Sequence, residues 1–119
     1  MKTKKDFINW IKDQIKFYSP ILGIDLHRID VEEKQTTTYL EIGCTYPYLD
    51  STIYFCNKSF EDFKSGKLTR DRILHELCHI ITDPLYCKCN QRYVSKDEVL
   101  DERERLTDAL AVIIRRFTK

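Results

Sequence analysis

The chain has 119 residues, with 20 lysines and arginines against 19 aspartates and glutamates, and 42% of it is hydrophobic. That length fits a single domain, residues 1–119, able to bury roughly two-thirds of its unfolded surface around one core. The near-neutral balance, formally +1, argues against nucleic acid as a partner, since phosphate-binding domains carry a basic excess, and the hydrophobic content excludes disorder by composition.

Taken in chain order, residues from about Lys4 to Tyr18 place Phe7, Trp10, Ile11, Ile15 and Tyr18 at steps of three and four, which predicts a first helix closed by Ser19-Pro20. Lys, Asp and Gln interrupt its apolar residues, so it is neither a signal peptide nor a membrane span, and a soluble, cytoplasmic protein is expected. Three strands follow, at Leu26–Glu33, Thr36–Tyr46 and Thr52–Cys56, each rich in β-branched or aromatic residues. Short connections make an antiparallel meander the economical topology. Leu68 to Thr82 carries Ile73, Leu74, Leu77, Cys78, Ile80 and Ile81 on one arc, and Asp83-Pro84 is expected to end that helix. A polar connection leads to a last helix from about Asp97 to Phe117, striped by Val99, Leu106, Leu110, Ile113 and Phe117. The expected fold is α+β, with an N-terminal helix, a three-stranded mainly antiparallel sheet and two later helices on one face.

His75-Glu76-Leu77-Cys78-His79 is an H-E-x-x-H string in the middle of a predicted helix. Positions i and i+4 lie about 40° apart on a helix, so both imidazoles project side by side and can bind one ion. Glu76, about 100° away, is placed to act on a water at that ion as general base. Chance produces the string in about one chain in two hundred of this composition. Zinc needs a third protein ligand, and the last helix offers two glutamates, Glu102 and Glu104, of which Glu102 falls on the Leu106 side.

Glu104-Arg-Leu-Thr107-Asp108 matches E-x-x-[S/T]-D, and together with H-E-x-x-H the chain resembles the gluzincin, thermolysin-like zinc metallopeptidases and small phage-type zincin-like proteins. The resemblance spans roughly Ser51 to Ala111. It implies that His75, His79 and Glu104 ligate one Zn2+ per chain, that Glu76 is the catalytic base, and that Asp108 hydrogen-bonds the ring nitrogen of His75 not bound to zinc. It further implies a zincin-like fold, peptide or protein substrates, and an edge strand at Thr52–Cys56 along which a peptide adds. Thr107 and Ala111, on the same side as Glu104, are small enough for two helices to pack closely. The family's oxyanion-stabilising histidine comes from a second domain; Tyr86 and Tyr93, in the connection, are the substitutes available here.

Five cysteines in a reducing compartment read as thiols or metal ligands. Cys78 reads as a buried thiol and Cys87 and Cys89 as loop thiols or ligands of a second metal. Cys44 and Cys56 are expected to face each other across a hairpin. Cys44 also raises a peptide deformylase alternative, whose glycine-rich motif is absent. Arg103 and Arg105 read as surface charges. The alternative to a peptidase is a metal-binding adaptor or structural protein that keeps the site without catalysis.

Overall fold

Thr3 opens the first helix, α1 (Lys4–Leu22), through a reciprocal capping box: its hydroxyl accepts from Asp6 N at 3.2 Å and the Asp6 carboxylate accepts from Thr3 N at 2.9 Å. The helix does not stop at Ser19-Pro20. It runs on to Leu22 and closes at Gly23, whose φ of 72° is the left-handed geometry glycine tolerates. Ile24 N donates to Ser19 O (2.9 Å) and Gly23 N to Pro20 O (3.4 Å), a Schellman closure that takes up carbonyls of the last turn. The computed structural model describes residues 2–45, 50–89 and 96–118, with the backbone alone for residues 45, 84–89 and 96.

Strands β1 (Arg28–Glu33), β2 (Leu40–Thr45) and β3 (Asp50–Phe55) form one mixed sheet in the order β1-β3-β2. β2 pairs antiparallel with β3, matching Leu40 with Phe55 and Ile42 with Ile53, whereas β1 pairs parallel with β3. The expected antiparallel meander is therefore corrected. β3 carries Ser51, Ile53 and Phe55 fully inward, and the most buried strand takes the centre, where both of its edges are paired. For the same reason Thr52–Cys56 supplies no open edge; the edge strand next to the later helices is β2. Cys44 sits opposite Ser51, at the far end of the ladder from Cys56, so the two cysteines do not face each other.

A short helix the sequence pattern did not announce, α2 (Asn57–Lys64), follows β3 directly. Eight residues with two buried phenylalanines give too little periodicity to register. Phe60 and Phe63 close over α1, with Phe63 stacked on Phe7 at 4.8 Å between ring centres. Two long helices complete the chain: α3 (Arg70–Cys89) and α4 (Lys96–Phe117). α3 continues through Asp83-Pro84, where it was expected to end. One proline removes one helical hydrogen bond, and Asp83 is held in the helix by partners described below. Tyr86, Cys87 and Cys89 thus belong to the backbone of α3 rather than to a loop; their side chains, and the whole of Tyr93, lie outside the described residues.

α3 is the central element. It packs against α1, β2 and α4, and Ile73, Leu74, Leu77 and Cys78 are wholly buried with Phe7, Ile11, Ile53 and Phe55. Burial pushes the Cys78 thiol up to about 12, so it behaves as a small core residue. Among the described residues no helix is long and apolar enough to cross a membrane.

Tyr39, just before β2, donates its hydroxyl to Asp62 of α2 at 2.8 Å. Partial burial, the hydrogen bond and the Asp62 charge hold its phenol protonated, raising it from 10.0 to about 12. The protonated phenol stabilises the fold fully below the unfolded value of 10.0 and ceases to do so as pH rises through about 12. Tyr39→Phe should cost about 1 kcal/mol in denaturant melts at pH 7–9, and the difference from wild type should shrink above pH 10.

Candidate metal centre

His75 and His79 stand one turn apart on α3, their rings nearly perpendicular with centres 4.8 Å apart. Each ring has one nitrogen committed to a carboxylate. His75 Nδ1 lies 2.7 Å from Asp108 Oδ1 on α4, and His79 Nδ1 lies 3.2 Å from Asp83 Oδ1 one turn further along α3. Carboxylates only accept, so these contacts place protons on Nδ1 and, in the neutral imidazoles, leave both Nε2 atoms as acceptors. The two Nε2 atoms nonetheless face each other at 3.2 Å. Glu104 Oε2, from α4, lies 3.5 Å from each of them.

With both imidazoles neutral, three electron-rich atoms meet here, and His75, His79 and Glu104 form a group able to hold a metal ion. The spacing fits that use. Donors about 2.0–2.1 Å from one ion at tetrahedral angles lie roughly 3.3 Å apart, against the 3.2, 3.5 and 3.5 Å found here. Glu102 is not part of the group: Arg105 grips it at 2.8–3.1 Å on the outer face of α4.

Glu76 is buried, 5% exposed, and its Oε2 lies 3.9 Å from His75 Nε2. Burial pushes its carboxyl up to about 7, against the pull of His79 and Arg72. For His79 burial opposes protonation, yet the Asp83 hydrogen bond and the charges of Asp83, Glu76 and Glu104 together raise it. A buried imidazole among three carboxylates is an environment made for positive charge.

Arg103, expected at the surface, turns inward instead. Its guanidinium lies 3.6 Å from Asp83 Oδ1 and 3.5 Å from Glu104 Oε1, linking the acid that orients His79 to the acid of the donor triangle. Thr107, wholly buried beneath them, donates to Arg103 O at 2.7 Å, leaving its oxygen to accept from Thr82 at 2.9 Å. These small residues set how closely α4 approaches α3.

No protein-family model, no curated protein and no solved structure matches the chain.

A cleft of about 280 Å³ opens over the group, walled by Leu40, Glu41 and Ile42 of β2 on one side and by Glu76, His79 and Glu104 on the other. His75 borders a second hollow of about 210 Å³ between α3 and α4, beside Asp108 and Leu74. The structure therefore brings together His75, Glu76, His79, Glu104 and Asp108. Sequence reasoning missed Asp83 and Arg103. The i+4 spacing from His79 to Asp83 carried the signal for the first, masked by the following proline; Arg103 had none, because its role depends on how α4 is set against α3.

Replacing an outer partner of a metal ligand typically weakens metal binding 10–100-fold. Asp83→Asn, Asp108→Asn and Arg103→Met should each lower zinc affinity within that range in competition with a chromophoric chelator, whereas Arg105→Met should leave it unchanged.

Proposed function

We propose that the chain is a zinc-dependent peptidase in which His75, His79 and Glu104 hold the ion and Glu76 is the general base. The observation that carries this reading is the triangle of three potential donor atoms with sides of 3.2, 3.5 and 3.5 Å. The two-nitrogen, one-oxygen donor set suits zinc with one position open and iron(II) alike; the H-E-x-x-H string on a helix, with its glutamate buried beside the triangle, favours zinc. A zinc ion bound there supplies Lewis-acid polarisation of a carbonyl and acidifies water.

The protein's own groups do the rest. Asp108 and Asp83 hold both imidazoles in the tautomer that presents Nε2. Glu76, buried at the side of the triangle, takes a proton from the attacking water and hands it to the leaving amine. The protein part of the cleft supports a peptide rather than a small substrate: β2 is the edge strand of the sheet and forms one wall, and an extended chain can add to such an edge through main-chain hydrogen bonds. A zincin-like relationship accords with this arrangement of the two motifs on α3 and α4.

Purified wild type should contain about one zinc per chain, Glu104→Ala little, and Glu76→Gln as much as wild type. Cleavage of a mixed peptide library should fall by about 10²–10⁴ in Glu76→Gln, the usual contribution of a general base. Equal zinc in all three proteins would refute the ligand assignment. If wild type and Glu76→Gln bind zinc and are equally inert, the chain is a metal-binding adaptor instead.

A further inference from the structure

Most of the apolar stripe of α4 faces away from its own protein, although Val99 is buried and Leu110 is half-buried against the core. Leu106, Ala109, Leu110, Ile113 and Phe117 recur at i, i+3, i+4, i+7 and i+11, the pattern of a helix that buries one side. Yet Leu106 is 37%, Ile113 51% and Phe117 86% exposed, and Ala109 is exposed as well. Among the described elements α4 packs extensively on α3 alone. It does so through the opposite side, where Glu104, Thr107 and Ala111 lie.

We propose that this stripe pairs antiparallel with the same stripe of a second copy of the chain. Two features of α4 select that occupant and that direction. Charge is arranged unevenly along the edge of the stripe, with Glu102 near its start, paired within its own helix with Arg105, and Arg116 near its end, both exposed. An antiparallel pair centred on Ala109 sets Arg116 level with Glu102 of the partner subunit, twice by symmetry, and brings Leu106 within one residue of the level of the partner subunit's Ile113. A parallel pair would oppose Glu102 to its own copy and Arg116 to its own copy, the like-charge contact that specifies against a wrong arrangement. Ala109 then falls on the two-fold axis, where its small side chain lets the backbones approach. An isologous interface of this kind closes on itself and leaves no apolar stripe exposed. The result is a four-helix layer, α3 and α4 from each subunit, with both metal centres on the inner side of the α4 helices. The pairing does not depend on the peptidase reading.

Sedimentation velocity on the full chain, from about 5 to about 300 µM, covers the range in which an interface below the usual ~1,600 Å² assembles. Wild type should shift from one-chain to two-chain mass across it. Leu106→Glu with Ile113→Glu should remain monomeric with an unchanged helical circular dichroism spectrum, because both positions are exposed in the monomer. Arg116→Glu alone should weaken dimerisation about tenfold or more, and combining it with Glu102→Arg should restore wild-type behaviour. A wild type that stays monomeric throughout would overturn the proposal and leave the stripe to a different protein. So would a dimer indifferent to Leu106→Glu with Ile113→Glu. If Arg116→Glu strengthens the dimer, the antiparallel arrangement is wrong. The charge exchange tests the interface even if the double apolar replacement disturbs the fold.

Discussion

Two imidazole nitrogens 3.2 Å apart, each an acceptor when its ring is neutral, repel unless positive charge, from a proton or a cation, lies between them. That single constraint organises the molecule around α3. Asp108 and Asp83 make it unavoidable by claiming the Nδ1 protons, and Glu104 sharpens it by adding a third acceptor. None of these groups stabilises the fold by itself. Burying carboxylates and imidazoles together costs free energy unless their charges are compensated. Glu76, driven up to about 7 by its burial, expresses the same tension. Local arrangements that a stable core would avoid are the ones expected where a protein does its chemistry.

The cost is tolerated because α3 is held from several sides. Ile73, Leu74, Leu77 and Cys78 are fully buried against α1 and the sheet, and each such side chain contributes about 1.5–3 kcal/mol relative to exposure. Phe7, Phe55, Phe60 and Phe63 form a ring cluster behind them. This rigid base presents His75, Glu76 and His79 at fixed spacing. α4 brings the complementary groups on one side through a close contact of small residues, Thr82 against Thr107.

How much of this was readable in one dimension follows from range. The H-E-x-x-H string and the Glu104–Asp108 pair are local, and one helical turn turns their spacing directly into a shared face. The three strands and long helices were legible for the same reason. The order of strands was not, since parallel pairing of β1 with β3 depends on which strand the core buries most. Nor were the true helix ends: Pro20 and Pro84 weaken a helix without ending it when closure or tertiary contacts compensate. The stripe on α4 misled most. Leu106, Ile113 and Phe117 have the period of a core face, and Glu104 opposite them reads as solvated. In the folded chain Val99 and Leu110 do turn inward, but Leu106, Ile113 and Phe117 meet water while Glu104 and Thr107 meet α3, because a His/His/Glu group and two hydroxyls form much of the seam.

That inversion bears on how α4 is held. A helix docked by its apolar stripe gains stability in proportion to the area removed from water. α4 forgoes part of this. Beyond Val99 and the packing of Leu110, Ala111 and Ile114 on the core, its attachment rests on Thr107, the Asp108–His75 bond, the Arg115–Asp71 pair at 3.3 Å and Arg103 between two acids. Exposed ion pairs such as Arg115–Asp71 contribute at most about 1 kcal/mol. A cation shared by His75, His79 and Glu104 would join α3 to α4 with coordinate bonds. Metal binding and the docking of α4 are then one equilibrium, since any ligand that favours the docked arrangement stabilises it by its own binding energy.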